Sequence, residues 1–136
     1  AAMAFATGTS WGTMAIMLPV VIPLTISLGG VATYPGGDQM EILLGATASV
    51  LAGAIFGDHC SPISDTTVLS STASACDHMD HVRTQLPYAV LVGLIGMLLG
   101  NVGTAYGLPP WGALLGGVSL LFLFLQFRGR VVSGAD

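Results

Sequence analysis

Long apolar runs broken at a few places by dense polar patches set the pattern of this chain. Residues 1 to 28 are apolar except at Thr7-Gly8-Thr9-Ser10-Trp11-Gly12-Thr13, after which Met14 to Leu28 resumes a helix carrying Pro19 and Pro23. Gly29 to Gly37 reads as a turn-rich loop. Asp38 with Glu41 three residues on has the spacing of a capping box that opens a second helix, which is expected to run to about Phe56. Along that helix Gly45, Ser49, Gly53 and Gly57 recur every four residues, a stripe that lets membrane helices approach closely. A break is expected at 57 to 65, then a short polar half-helix from Thr66 to Cys76. Helix C is predicted over about Leu86 to Thr104, with Gly96 and Gly100 at close-packing spacing. Helix D should open at Pro109-Pro110, because the missing proline N–H would be unpaired in a first turn anyway.

Length turns this pattern into a membrane fold. A span needs about 20 apolar residues, so 136 residues hold about four crossings. Hydrophobic residues make up 53% and charged residues 7%, with mean hydropathy +0.82, against roughly 25% charged in ordinary soluble domains. The fold class is therefore an all-α membrane protein of about four transmembrane segments with broken or re-entrant helices. Three basic and seven acidic side chains, with no lysine, exclude a nucleic-acid partner. Cys60 and Cys76 are too few for a disulfide framework and are read as free thiols. If 39 to 76 is one broken span, Arg83 and the Arg128/Arg130 pair share the cytoplasmic side and loop 29 to 38 lies outside. If that stretch is a re-entrant hairpin, the loop joins the arginines on their side.

The polar patches carry the chemistry. An ionisable side chain at mid-membrane costs roughly 2.5 to 3.5 kcal/mol on insertion scales and survives where it faces a cavity, a partner or an ion. Broken helices expose backbone groups at depth that transporters use to hold ions. Na⁺ is a hard cation that suits oxygen ligands, and the two breaks offer Thr7, Thr9, Ser10 and Thr13 on one side and Asp58, Ser61, Ser64, Asp65, Thr66 and Thr67 on the other. The candidate cation and proton ligands are Asp58, Asp65, Ser61, Thr66, Thr7, Thr9 and Ser10.

Each has a duller reading. Asp58 could only accept N–H bonds from an unwound turn, and Asp65 could only cap the half-helix. His59 is a candidate for proton coupling, since histidine titrates near neutral pH, or a histidine bonded in a packed interior. Thr7 to Thr13 could be a plain glycine turn, and Trp11 a packing anchor. The set Cys60, Cys76, His59, His78 and His81 lacks the spacing of a zinc site. Loop 77 to 83 reads as a solvated interfacial face. No catalytic residue, resident metal or cofactor is expected.

The strings Ala6 to Thr13, Gly57 to Ser71 and Cys76 to Tyr88 strongly resemble the Na⁺/H⁺ antiporter NhaC family. The resemblance covers about residues 3 to 90. It implies membership of the ion transporter superfamily, with inverted repeats and paired hairpins, of which residues 1 to 136 would be a C-terminal fragment of one transport domain. Its discontinuities near 7 to 13 and 57 to 66 would face each other, and an N-terminal half would be supplied elsewhere. The expected activity is Na⁺/H⁺ antiport across the cell membrane, with Asp carboxylates holding Na⁺ or H⁺ alternately. The alternatives are a Na⁺-coupled carrier of a small organic acid or amino acid, and a non-transporting membrane subunit. The expected partners are the lipid bilayer, the transported Na⁺ and H⁺, the N-terminal half, and a second copy in a homodimer.

Overall fold

The computed structural model describes residues 1–29 and 37–128, and these are helical with no strand among them. The loop expected at 29 to 37 falls largely outside the described residues, as does Arg130; the side chains of Asp38 and Arg128 are also outside them. The helices are α1 (Ala2–Thr7), α2 (Ser10–Leu28), α3 (Asp38–Cys60), α4 (Asp65–Ala73), α5 (His78–Ile95) and α6 (Pro110–Arg128), with a π-helical stretch over Gly96–Gly103. Four segments are long and apolar enough to cross a membrane: Ser10–Leu28, Gln39–Cys60, His78–Gly103 and Pro110–Phe127. That is the number the sequence pattern predicts. The chain divides into two units, Ala1–Val90 and Leu91–Asp136.

In the first unit α2 and α3 pack as an antiparallel pair. Gln39 Nε2 donates to the carbonyl of Gly29 at 3.1 Å and ties their ends together. α1 lies against the other end of α3 and runs in the same direction, because Ala1 meets Gly53 and Gly57 whereas Gly8 meets Ile63. The chain therefore doubles back at Gly8-Thr9, which is the tip of a helical hairpin. Gly8 takes the left-handed conformation (φ 66°) as the C-cap of α1 and donates its N–H to Ala4 at 2.8 Å. Thr9 then starts α2: its hydroxyl accepts from the N–H of Gly12 at 3.3 Å, as N-cap threonines do. Ala4 and Ala54 are fully buried, so the α1–α3 seam is built from small side chains. Of the glycines in that stripe, Gly53 and Gly57 meet a neighbour, whereas Gly45 faces open space among the described residues.

Several boundaries differ from the sequence pattern. α3 begins at Asp38 itself, so Gly37 (φ 62°) holds the N-cap position that the capping box would give to Asp38. α3 also continues past Phe56 to Cys60, and the break shrinks to Ser61–Ser64. Helix C starts eight residues before Leu86, because the Asp77 carboxylate captures the N–H groups of Met79 (2.9 Å) and Asp80 (3.1 Å) and caps α5. Residues 78 to 83 are thus helical, and Pro87 sits inside α5. Trp11 is 81% exposed among the described residues, so it is not the packing anchor expected there.

In the second unit the stretch from Leu91 and α6 form a hairpin. A Cβ on Gly116 would lie 3.8 Å from Leu99 and one on Gly117 3.7 Å from Ile95, ordinary contact distances. Gly96 and Gly100, expected at a close helix contact, face open space. Thr104 back-bonds to the carbonyl of Gly100 across the π-helical stretch, and α6 starts at Pro110 as its proline pair predicts.

Any side chain at Gly57 has to displace α1, since its Cβ would come 2.9 Å from the Cβ of Ala4 and into the backbone of Ala1. Gly57→Val is expected to destabilise the α1–α3 seam by about 1–3 kcal/mol through overpacking, whereas Gly45→Val should cost much less. Thermal unfolding of the detergent-solubilised protein, compared for the two variants, checks this; equal losses would contradict the assigned seam.

Candidate functional site

Pro62 creates the second break. It has no N–H to continue α3, and it pushes the preceding residue into extended backbone; Ser61 sits at φ −76°, ψ 128°. Ser64, also extended (φ −67°, ψ 135°), restarts the chain as the N-cap of α4. The N–H of Ser61 stays on the carbonyl of Asp58 at 3.1 Å and that of Ser64 on the carbonyl of Ser61 at 3.4 Å. Between these points the chain turns tightly enough to bring Ser64 and Thr66 over the last turn of α3.

Asp58 occupies that last turn and is 7% exposed. Ser64 Oγ donates to its Oδ1 at 2.8 Å and Thr66 Oγ1 to its Oδ2 at 3.1 Å. Ser64 Oγ and Thr66 Oγ1 are themselves 2.7 Å apart. Ser64, fully buried, spends its hydroxyl on Asp58, and no side-chain cap bond forms at the start of α4. Asp65 is exposed in the first turn of α4, where its Oδ1 accepts the N–H of Thr66 at 2.9 Å. The N-cap position read for Asp65 thus belongs to Ser64.

The two breaks meet. Ser61 Oγ donates to the carbonyl of Phe5 at 2.8 Å, a carbonyl in the last turn of α1 that no further helical N–H reaches. Gly8 lies so close to Ile63 that a Cβ there would come 2.9 Å from the Ile63 carbonyl oxygen. The hydroxyls of the first break, however, bond locally. Thr7 Oγ1 donates to the carbonyl of Met3 at 2.9 Å, Thr9 Oγ1 caps α2, and Thr13 Oγ1 donates to the carbonyl of Thr9 at 3.0 Å. Ser10, half-buried beside them, makes no bond to the Asp58 cluster. The backbone of the first break touches the second, while its side chains stay on their own helix ends.

His59 points elsewhere. Its ring and carbonyl face Gln85 Nε2 of α5 at 2.6 to 3.2 Å, on an exposed surface away from the Asp58 hydrogen bonds. His78 holds the break instead. Its Nε2–H donates to the carbonyl of Pro62 at 2.6 Å, and its Nδ1 pairs with Ser71 Oγ of α4 at 3.0 Å. One imidazole thereby ties the start of α5 to the break and to α4. Thr67 and Ser71, both buried, extend the polar inner face of α4 that begins at Ser64. Ser64 is legible as part of the oxygen-rich string, but the part played by His78 is not, since its partners lie 16 and 7 residues away. Among the described residues no three His, Cys, Asp or Glu side chains come together as a metal centre.

Spans of this length, with two polar breaks in contact and a carboxylate buried under hydroxyls, define a multi-pass membrane protein whose apolar spans are interrupted by polar segments. The Na⁺/H⁺ antiporter family model matches residues 1–103, and the chain belongs to that family. It is 46% identical over 134 residues to an uncharacterized protein of Haemophilus influenzae, covering 96% of this chain and 23% of that protein. It is 38% identical over 107 residues to the malate-2H(+)/Na(+)-lactate antiporter of Bacillus subtilis, covering 77% of this chain and 20% of that protein. To the arginine/ornithine antiporter ArcD of Halobacterium salinarum it is 34% identical over 97 residues, 71% and 18% of the two chains. The chain spans about a fifth of the length of these curated relatives. No solved structure matches it.

Loss of the Ser61 hydroxyl leaves the Phe5 carbonyl without a partner. Ser61→Ala is expected to cost about 1–3 kcal/mol, the penalty of an unsatisfied buried polar group, and Ser70→Ala, on an exposed face of α4, close to nothing. Denaturant or thermal unfolding of the two variants in one detergent measures the difference.

Proposed function

We propose that this chain forms part of a secondary antiporter that exchanges Na⁺ for H⁺, with the Asp58 carboxylate carrying one or the other. The observation that carries the reading is the burial of Asp58 beneath two hydroxyl oxygens at the point where the helix breaks meet. A buried carboxylate without a cationic partner accepts either a proton or a small hard cation, and it does not hold both charges at once in a site of low dielectric. That exclusion couples the two fluxes.

In this reading Ser64 and Thr66 supply oxygen to the ion. Ser61 fixes the loop against α1 and leaves its backbone near the site. Asp65, exposed at the start of α4, offers a second carboxylate at the rim, where it draws cations and complements the helix N-terminus. Thr7, Thr9 and Ser10 contribute through the hairpin tip they build, whose backbone closes one side of the break. His59, turned to Gln85 of α5, lies outside the hydrogen bonds of Asp58 and takes no part in this reading. An N-terminal half and a second copy of the chain complete the assembly, and Na⁺ and H⁺ are its cargo.

A second reading has specific support. Relatives named for malate, lactate, arginine and ornithine share the matched region, so a carrier of small organic acids or amino acids could use the same carboxylate as its coupling-ion ligand. No lysine or arginine lies within the break of this chain to hold an organic anion, which favours the inorganic cation as what this region binds.

Everted vesicles carrying the full-length protein, preloaded with a pH gradient, test both. Na⁺ should dissipate the gradient in wild type and fail to do so in Asp58→Asn at equal protein levels. Transport persisting in Asp58→Asn would sink the carboxylate mechanism. Na⁺-dependent uptake of an organic solute, with no direct cation response, would favour the second reading.

A further inference from the structure

Three residues of the second break are each held by a different helix. Ser61 Oγ donates to the Phe5 carbonyl of α1 at 2.8 Å, the Pro62 carbonyl accepts from His78 Nε2 of α5 at 2.6 Å, and Ser64 Oγ donates to Asp58 Oδ1 of α3 at 2.8 Å. The middle tie stands between the other two. Peptide units are planar and the pyrrolidine ring fixes φ of Pro62, which leaves the Pro62–Ile63 peptide to rotate about the bonds on either side of it. That rotation swings the Pro62 carbonyl. Inside a helix such a carbonyl would take the N–H four residues on, but Thr66 gives its N–H to Asp65 Oδ1 at 2.9 Å. Among the described residues His78 is the one donor that reaches it.

His78 is itself firmly placed. Ala75 takes left-handed backbone (φ 51°) after α4, the N–H of Cys76 returns to the carbonyl of Ser71 at 3.2 Å, and the Asp77 carboxylate caps α5. The corner from α4 into α5 is therefore short and bonded on both sides. On the other edge of the ring, Nδ1 pairs with Ser71 Oγ of α4 at 3.0 Å. An imidazole keeps its two nitrogens at one fixed spacing, so it acts as a rigid spacer between α4 and the turn that precedes it.

We propose that His78 is a positioning residue: by fixing the Pro62 carbonyl against α4 it holds the turn in the form that sets Ser64 and Thr66 on Asp58, and it thereby tunes cation affinity without touching the cation. The link to the cation rests on the antiporter reading above. The effect on the turn stands apart from that reading.

Two substitutions separate the edges of the ring. A glutamine amide nitrogen reaches about as far as Nε2, whereas an asparagine amide reaches only as far as Nδ1. Na⁺-evoked dissipation of a pH gradient by the full-length protein in everted vesicles, at equal protein levels, gives the half-saturating Na⁺ concentration and the maximal rate. In His78→Asn the first should rise about tenfold, the loss of one hydrogen bond, with the maximal rate little changed. His78→Gln should return toward wild type. Ser71→Ala frees the other edge of the ring alone and should give a rise of about threefold; it carries the test if His78→Asn does not fold. Hydrogen exchange read by mass spectrometry on the full-length protein in lipid nanodiscs supplies a readout that needs no transport. Amides of residues 63 to 68 should exchange faster in His78→Asn and at the wild-type rate in His78→Gln.

A lower maximal rate at unchanged half-saturation, in His78→Asn or in Ser71→Ala, marks a merely structural role and overturns the proposal. So does a His78→Gln protein as impaired as His78→Asn. Unchanged affinity and exchange in His78→Asn, beside lost transport in Asp58→Asn, remove the positioning role and leave the antiporter reading standing. Faster exchange in His78→Asn, with no Na⁺ response from wild type, removes the antiporter reading and supports the hold of His78 on the turn.

Discussion

A carboxylate held in the interior of an apolar chain needs donors, and much of the local structure around Asp58 meets that need. The donors come from a segment that cannot be helical. Pro62 ends α3, and the short extended stretch it forces brings Ser64 and Thr66 back over Asp58. Without the break, residues 64 and 66 would continue up the helix axis, at about 1.5 Å per residue, with Thr66 some 12 Å beyond Asp58. The break is the means by which residues six and eight positions away become ligands of one side chain.

The break itself has to be satisfied. Unpaired backbone groups are costly wherever water is excluded, and the first unit resolves this by setting one interrupted segment against another. The open carbonyl of Phe5 takes the hydroxyl of Ser61, and the carbonyl of Pro62 takes the imidazole of His78. Such contact is possible only because Gly8, Gly53 and Gly57 let backbones approach without a Cβ between them. The small-residue seam of α1 on α3 and the polar site are one construction: the seam sets the position of the hairpin tip, and the tip supports the loop that carries Ser61 to Ser64.

Much of this was legible in the sequence. Spans follow from apolar run length, and the proline and glycine positions announce both interruptions. What moved were boundaries set by side-chain capping across several residues. Asp77 extends α5 toward its N-terminus by holding two N–H groups, Gly37 displaces Asp38 as the start of α3, and Ser64 displaces Asp65 as the start of α4. Propensity and hydropathy cannot rank these neighbours, because adjacent residues differ only in which of them finds a better partner. The expected close contact at Gly96 and Gly100 shows the same limit, since a small-residue spacing permits an approach without supplying the helix that makes it.

The sequence by itself determined that this is a helical membrane protein, that its apolar spans are interrupted twice, and that oxygen-bearing side chains gather at the interruptions. These follow from run length, from the backbone limits of proline and glycine, and from the cost of polar groups in hydrocarbon, all local properties of the chain. Only the tertiary structure decided that Ser64 and Thr66, rather than Thr7, Thr9 and Ser10, close on Asp58, that His59 turns to Gln85, and that His78 holds the loop. Those choices depend on which way each side chain leaves its helix end and on what lies opposite, and packing in three dimensions settles that.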